Sequence, residues 1–155
     1  MRRAYYDIAY FECKELGMLL GYKKVLAIGK DISFNEKGER IIISDTMWKN
    51  FPNKNEVVGV VASKVDKAFF QKLREEEKIL IIDISPLNKD FVKESKRLRG
   101  ILKNALHFKL KTALATFARE KAYLLSSAQM LEIAKFLGAG EEQAKDLLGA
   151  IGEIL

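Results

Sequence analysis

The sequence predicts an α/β protein in which short apolar strands alternate with amphipathic helices. Runs rich in Val, Ile and aromatic residues recur between segments whose apolar residues have helical spacing. The run Ile79–Ile82 is apolar at every position, which is typical of a parallel strand buried on both faces. With 155 residues, of which 48% are hydrophobic and 31% charged, the chain has the size and composition of one globular domain.

The individual elements follow from the local patterns. Apolar runs with β-branched or aromatic residues predict strands at Ala4–Ala9, Lys24–Ile28, Arg40–Ser44, Val57–Ala62, Ile79–Ile84, Leu106–Leu110 and Tyr123–Ser126. Helical spacing predicts helices at Phe11–Leu20, Asp66–Glu76, Lys89–Asn104, Thr112–Lys121, Gln129–Leu137 and Glu141–Ile154. Gly21 and Gly138 stand where helix C-caps belong, and Asp66 is a candidate N-cap. The turn signal at 35–38 indicates that the second and third strands are joined without a crossover helix.

The helix predicted at 89–104 separates an apolar stripe from a basic face. Steps of four and three residues place on one side Phe91, Ser95, Leu98, Leu102 and Ala105. The opposite side carries Lys89, Lys93, Lys96, Arg97 and Lys103. In the strand predicted next, His107 and Lys109 alternate with apolar residues, so we expect them to share one side of that strand with Lys111.

The net positive charge is concentrated in one segment. The chain carries 27 basic and 21 acidic residues, a net charge of +6. Residues 93–111 contain a single acidic residue, Glu94, and seven basic ones: Lys93, Lys96, Arg97, Arg99, Lys103, Lys109 and Lys111. The rest of the chain is therefore balanced, and a concentrated basic surface of this kind is expected for a polyanionic partner. The alternative interpretation is a solvated helix face.

Several classes of chemistry are excluded by the residues that are missing. His107 is the only histidine and Cys13 the only cysteine. The chain therefore cannot form an internal disulfide, it has no zinc-site spacing, and any catalytic triad would have to include His107. Gly29 and Gly138 lack the residues that complete a phosphate-binding loop or a dinucleotide motif. No apolar run reaches the length of about 20 residues that a membrane span needs, so we expect a cytoplasmic protein.

Carboxylates at strand ends leave one catalytic alternative open. Asp7, Asp45 and Asp83 lie in or just after predicted strands, where they would hold Mg²⁺ for phosphodiester hydrolysis if they converged. Loop aspartates also commonly cap turns and helices, and that is the competing interpretation.

Short motifs along most of the chain resemble one protein family. They comprise the segments 4–8 and 20–28, the segments 58–63 and 82–90, and a closing group formed by Ser126-Ser127-Ala128, Leu137-Gly138 and residues 142–145. Together these motifs resemble ribonuclease P protein component 3, the archaeal relative of a eukaryotic ribonuclease P subunit. Residues 29–56 depart from the family pattern because they offer turns and loops where the family has helices.

The resemblance implies a fold and a role. The fold would be a TIM-barrel-like (PHP-like) sheet of about seven mostly parallel strands, in one domain covering residues 1–155, shortened or partly open at 29–56. The implied role is that of a protein subunit that binds the catalytic RNA of ribonuclease P and supports endonucleolytic removal of the 5′ leader from precursor tRNA. Its partners would be that RNA, other ribonuclease P proteins (especially component 2), and precursor tRNA through the complex. No catalytic residue and no cofactor is expected on this chain, and Mg²⁺ is expected for the RNA subunit.

The candidate RNA contacts extend from the basic segment toward the Ser-Ser-Ala motif. They are Lys93, Lys96, Arg97, Arg99, Lys103, Lys109, Lys111, Arg119, Lys121, Ser126 and Ser127. For the two serines, the alternative is that they only close the turn after a strand. Two other functions remain open for the chain: a stand-alone Mg²⁺-dependent phosphoesterase using Asp7, Asp45 and Asp83, and a basic protein-interaction domain.

Overall fold

The strands of the protein are parallel and form two sheets. In the computed structural model, which describes residues 3–154, the smaller sheet pairs β1 (Tyr6–Ala9) with β2 (Lys24–Ala27). The larger sheet has the order β3 (Ser33–Phe34), β4 (Ile41–Ser44), β5 (Val57–Val61), β6 (Ile79–Asp83) and β7 (Thr112–Ala115). All five strand pairings are parallel, which confirms the predicted α/β class and the parallel direction of the strands.

The two sheets lie next to each other at both of their edges. Ala9, at the end of β1, forms a parallel bridge with Ala118, which follows β7. The backbone N–H of Tyr10 also donates to the carbonyl of Ala118 over 2.9 Å. On the other side, Ile28 after β2 forms a parallel bridge with Ile32 before β3.

Five helices accompany the strands in residues 3–154: α1 (Lys14–Leu19), α2 (Lys67–Glu75), α3 (Phe91–His107), α4 (Ser127–Phe136) and α5 (Glu141–Gly149). The predicted caps are confirmed: the Asp66 carboxylate accepts a bond from the N–H of Phe69 over 3.0 Å, and Gly21 and Gly138 have φ of +93° and +112°. Between β2 and β5 the chain forms only β3, β4 and short 3-10 turns, as the turn signal predicts. None of these helices is long and apolar enough to cross a membrane.

Three predicted elements in the last third of the chain are wrong. The predicted strand Leu106–Leu110 belongs to the end of α3, where Lys109 has φ +55° and the N–H of Leu110 bonds to the carbonyl of Ala105. The predicted helix Thr112–Lys121 is strand β7 followed by a loop. The predicted strand Tyr123–Ser126 is the end of a 3-10 turn and the N-cap of α4. Residues 112–118 are all buried, so packing between β6 and β1 outweighs the helical preference of their alanines.

Each face of the sheets buries its own apolar cluster. Ile41 and Ile43 pack on the helix side together with Leu98 of α3, whereas Ile42 points to the opposite side. That opposite cluster collects Ile8, Leu26, Ile81, Ala113, Ala115 and, from the C-terminal 3-10 segment Ala150–Ile154, Ile151 and Ile154. This period-two division of β4 and the burial of all of Ile79–Ile82 confirm strands covered on both faces.

Candidate nucleic-acid interface

Helix α3 holds its basic side chains on the outer surface of the protein. The helix begins after Asp90, whose carboxylate accepts a bond from the N–H of Lys93 over 3.1 Å. Leu98, Ile101 and Leu102 are fully buried and fix the rotation of the helix against the sheet. The remaining arc is open to solvent and carries Lys93, Lys96, Arg99 and Lys103.

Three of these exposed side chains are lysines without an ion pair in the part of the chain that the structure describes. Within residues 3–154, Lys93, Lys96 and Lys103 make no ion pair. Because their ammonium groups are solvated and unpaired, they are available to phosphate oxygens at little cost in protein contacts. We call Lys93, Lys96 and Lys103 the basic face of α3.

Two other basic residues of the segment already form ion pairs. The Nε of Arg97 donates to Glu94 over 2.5 Å, and its guanidinium also donates to the carbonyl of Ser63 over 2.7 Å. Lys111 forms an ion pair with Glu153 of the C-terminal segment. The folded chain therefore presents less free charge here than the sequence count suggests.

The expected basic side of a strand at 106–110 is wrong. His107 is the last residue of α3, Lys109 lies in the turn that follows, and Lys111 precedes β7. A 17-residue helix is roughly 25 Å long, so Lys109 and Lys111 are separated from Lys93 by nearly the length of α3.

Phe91 is not part of the buried stripe. Its side chain is 54% exposed, and its ring lies 5.4 Å from that of Phe136 at the end of α4, which is itself 43% exposed. Position 91 belongs to the first turn of the helix, whereas the buried residues start one turn later at Ser95. Sequence spacing identifies the correct side of a helix but not the point along it at which the covering layer begins.

The structure brings a second group of polar residues together at the carboxyl ends of the strands. Arg119 is exposed, and its guanidinium carbon lies 4.3 Å from the centre of the Tyr10 ring. Burial raises the pKa of Asp83, while bonds from Ser85 and the positive charges of Arg97 and Arg119 oppose that rise. The two guanidinium groups are thus near one carboxylate, a proximity that their separation in sequence does not reveal.

The remaining predicted contacts lie beyond this group. Lys121 is exposed in the 3-10 turn before α4. The Ser126 hydroxyl accepts a bond from the N–H of Gln129 over 3.1 Å and caps α4, and the N–H of Ser127 donates to the carbonyl of Leu20 over 2.8 Å. These bonds match the turn-closing interpretation of the serines, and their contact with RNA stays a prediction.

The three strand-end carboxylates do not converge on one point. Asp7 is fully buried and accepts bonds from the N–H and hydroxyl of Thr116 over 2.7 and 2.6 Å. Asp45 accepts bonds from Ser63, and Asp83 accepts one from the N–H of Ser85. No group of three His, Cys, Asp or Glu side chains suited to a metal ion occurs in residues 3–154. The described residues therefore give no support to the metal site of the phosphoesterase alternative.

Asp7 instead has a structural consequence that depends on pH. Burial raises the pKa of Asp7 from 3.8 to about 6, its hydrogen bonds oppose the rise, and the charge of Asp83 adds to it. A carboxyl group whose pKa is higher in the folded state stabilises the fold below its unfolded pKa. That stabilisation is lost as the pH rises through the folded pKa, because ionisation is then easier in the unfolded chain.

We therefore expect Asp7→Asn to remove a pH dependence of stability between about pH 4 and pH 6, the interval between the two pKa values of Asp7. The free energy of unfolding of the variant minus that of the native chain should increase as the pH rises across this interval. This difference should increase by about 3 kcal/mol in total, since one pKa unit corresponds to about 1.4 kcal/mol. Urea unfolding of both proteins at a series of pH values measures it. Parallel curves would show that Asp7 does not titrate in this way.

Fold and surface together define an α/β protein of parallel strands with an exposed, unpaired basic face on its longest described helix. Among solved structures, the fold is similar to that of a chain in an archaeal ribonuclease P complex determined by cryo-EM with mature tRNA. The TM-score is 0.68 at 15% sequence identity, and the match covers 96% of this chain and 89% of that one. No protein-family model and no curated protein matches the sequence. At this identity the likeness shows a shared fold.

Proposed function

We propose that the chain is a protein subunit of ribonuclease P that binds the catalytic RNA through the basic face of α3. The observation that carries the proposal is a set of three exposed lysines that make no ion pair within residues 3–154. They lie on a chain whose fold matches, over nearly its whole length, a chain of an archaeal ribonuclease P complex. Within the holoenzyme, we assign it the place of component 3, which the Ser126-Ser127-Ala128 and Leu137-Gly138 motifs resemble.

We further propose that the sheets close into a small TIM-barrel-like domain. The expected domain bounds of 1–155 include residues 1, 2 and 155, which lie outside the described residues. The bridges Ala9–Ala118 and Ile28–Ile32 support closure because they join the two sheets at both edges. The inner apolar cluster, which the C-terminal 3-10 segment helps to complete, supports it as well. A closed sheet has no free edge to pair with another chain, and it gives α3 a rigid base.

In this role the chain would contribute charge and positioning rather than catalytic groups. Lysine ammonium groups placed against crowded phosphates offset RNA charge that Mg²⁺ would otherwise have to offset. The RNA subunit would hold the Mg²⁺ used in cleavage. Component 2 and other ribonuclease P proteins would be neighbours in a cytoplasmic complex, and precursor tRNA would be met through it.

The proposal predicts a lower Mg²⁺ requirement for cleavage of precursor tRNA. Ribonuclease P RNA reconstituted with its other proteins should reach half-maximal cleavage at a lower Mg²⁺ concentration when this chain is added. The variant in which Lys93, Lys96 and Lys103 are all changed to Gln should return the midpoint toward the value without the chain, because charge compensation is lost. Cleavage rates over a Mg²⁺ series measure this.

The chain without RNA is the control for the phosphoesterase alternative. Turnover of a model phosphodiester by the pure protein with Mg²⁺, lost in Asp83→Ala, would establish that alternative. An identical Mg²⁺ midpoint with and without the chain would contradict the proposed support role.

A further inference from the structure

A small apolar surface lies beside the basic face of α3. Phe91 and Val92 in the first turn of α3 are 54% and 67% exposed, and Phe136 at the end of α4 is 43% exposed. The rings of Phe91 and Phe136 lie 5.4 Å apart with an angle of 31° between their planes. Neighbouring exposed apolar side chains of this kind make the surface a candidate for binding.

A guanidinium group completes the surface. The Cζ of Arg99 lies 4.5 Å from the centre of the Phe136 ring, and its Nε donates to the carbonyl of Phe136 over 3.2 Å. These contacts hold the arginine against the ring and connect α3 to the end of α4. We call Phe91, Phe136 and Arg99 the stacking surface.

Positive charge runs directly along the stacking surface. Val92, Lys96, Arg99 and Lys103 follow one another at steps of four, three and four residues, so they line one edge of α3. Arg99, in the middle of that edge, contacts Phe136 at the end of α4. Lys96 and Lys103, about one turn to either side of Arg99, therefore lie along the same edge of α3 as the contact with Phe136, and neither makes an ion pair within residues 3–154.

The nearby carboxylates do not cancel this charge. Glu94 of α3 forms an ion pair with Arg97 over 2.5 Å, and Glu132 of α4 forms an ion pair with Lys135 over 3.0 Å. Asp90, which directly precedes Phe91, is one further carboxylate, and Lys93, Lys96, Arg99 and Lys103 oppose it. A ligand that approaches the rings therefore meets net positive charge. This favours a polyanion with planar apolar groups over an uncharged protein surface.

We propose that the stacking surface binds unpaired bases of single-stranded RNA, with Lys96 and Lys103 at the adjoining phosphates. The inference rests on the proposed RNA-binding function and adds that part of the bound RNA is unpaired. Aromatic rings and guanidinium planes stack on any base, so recognition here is of single-strandedness rather than of sequence. A duplex keeps its bases stacked on one another and offers no free base to the rings.

The test compares RNAs of equal charge. Binding of the full chain is measured for an eight-nucleotide oligoadenylate and for an abasic RNA of the same length. The native protein should bind the oligoadenylate more tightly.

Changing both Phe91→Leu and Phe136→Leu should weaken oligoadenylate binding about 5-fold to 150-fold, which is the loss expected when one base stack is removed. Abasic RNA binding and the salt dependence should not change, since leucine keeps the surface apolar and the lysines remain. Changing both to Tyr should restore oligoadenylate binding.

Each other outcome is decisive. Thermal melts first confirm that the variants are folded, which is expected because both side chains are exposed. Equal affinity of the native chain for the two RNAs, or no binding of oligoadenylate, overturns the stacking site. In that case the variant in which Lys93, Lys96 and Lys103 are changed to Gln is tested for binding to ribonuclease P RNA. If its affinity is reduced, the proposed RNA-binding function is kept and only the stacking site is rejected. A leucine variant that binds oligoadenylate normally but loses component 2 would mark the surface as a protein interface, which also overturns the proposal.

Discussion

Changing Lys93, Lys96 and Lys103 together to Gln is expected to flatten the salt dependence of RNA binding by about two to three units of log affinity per log salt. Each lysine that contacts a phosphate releases counterions, and its loss lowers the slope by about 0.7–0.9. The three side chains are exposed and make no ion pair within residues 3–154, so stability should change by no more than about 0.5 kcal/mol for each. Affinity for ribonuclease P RNA over a salt series, beside thermal melts, measures both quantities.

A matched control removes the same charge elsewhere. Lys37, Lys49 and Lys67 are exposed, form no ion pair in the described part of the chain and lie outside α3. Lys72 is unsuitable because its Nζ lies 5.8 Å from the centre of the Trp48 ring. Changing the three control lysines to Gln should leave the slope nearly unchanged. If both triple variants flatten the slope equally, the effect reflects net charge, and α3 has no special role.

Leu98→Ala is expected to have the opposite effect, with a large loss of stability and no change in the salt slope. Leu98 is fully buried in the cluster between α3 and the sheet, and truncating such a side chain leaves a cavity. The free energy of unfolding should fall by about 2–5 kcal/mol. That is a large share of the roughly 5–15 kcal/mol of a typical domain, so binding must be measured well below the melting temperature.

The pair of variants separates packing from recognition on a single helix. Denaturant unfolding gives the stability of Leu98→Ala, and a salt series gives the slope of the molecules that remain folded. A cost below about 1 kcal/mol would mean that Leu98 is not held in the core. A flattened slope in the folded fraction would mean that the basic face depends on fine packing beneath it.

Much of the fold could be predicted because its elements carry strong local signals. β6 is apolar at four successive positions, and α2 has an aspartate cap with well-spaced apolar residues, so both lie within two residues of their predicted limits. The errors fall between residues 106 and 126, where the local pattern is ambiguous. The alternation at 106–110 fits a strand as well as a helix end, and β7 is a strand because β6 and β1 flank it. β3 has no predictive signal because a strand of two residues carries no periodicity.

Part of the candidate site could also be predicted, because α3 has a strong local periodicity. Helical spacing alone places Lys93, Lys96 and Lys103 opposite the buried stripe, and the structure agrees. The ion pair of Lys111 with Glu153 and the approach of Phe136 to Phe91 depend on contacts between distant segments. No periodic pattern within one element contains that information.

The identity of the RNA that accompanies the native chain shows whether the chain binds ribonuclease P RNA through the basic face of α3. The tagged chain is purified from its own cells at moderate salt, and the bound RNA is sequenced. The control is the variant in which Lys93, Lys96 and Lys103 are changed to Gln. The proposed function predicts strong enrichment of ribonuclease P RNA over total RNA with the native chain and a clear reduction with the variant. No enriched RNA, or equal recovery of ribonuclease P RNA by both proteins, would contradict it.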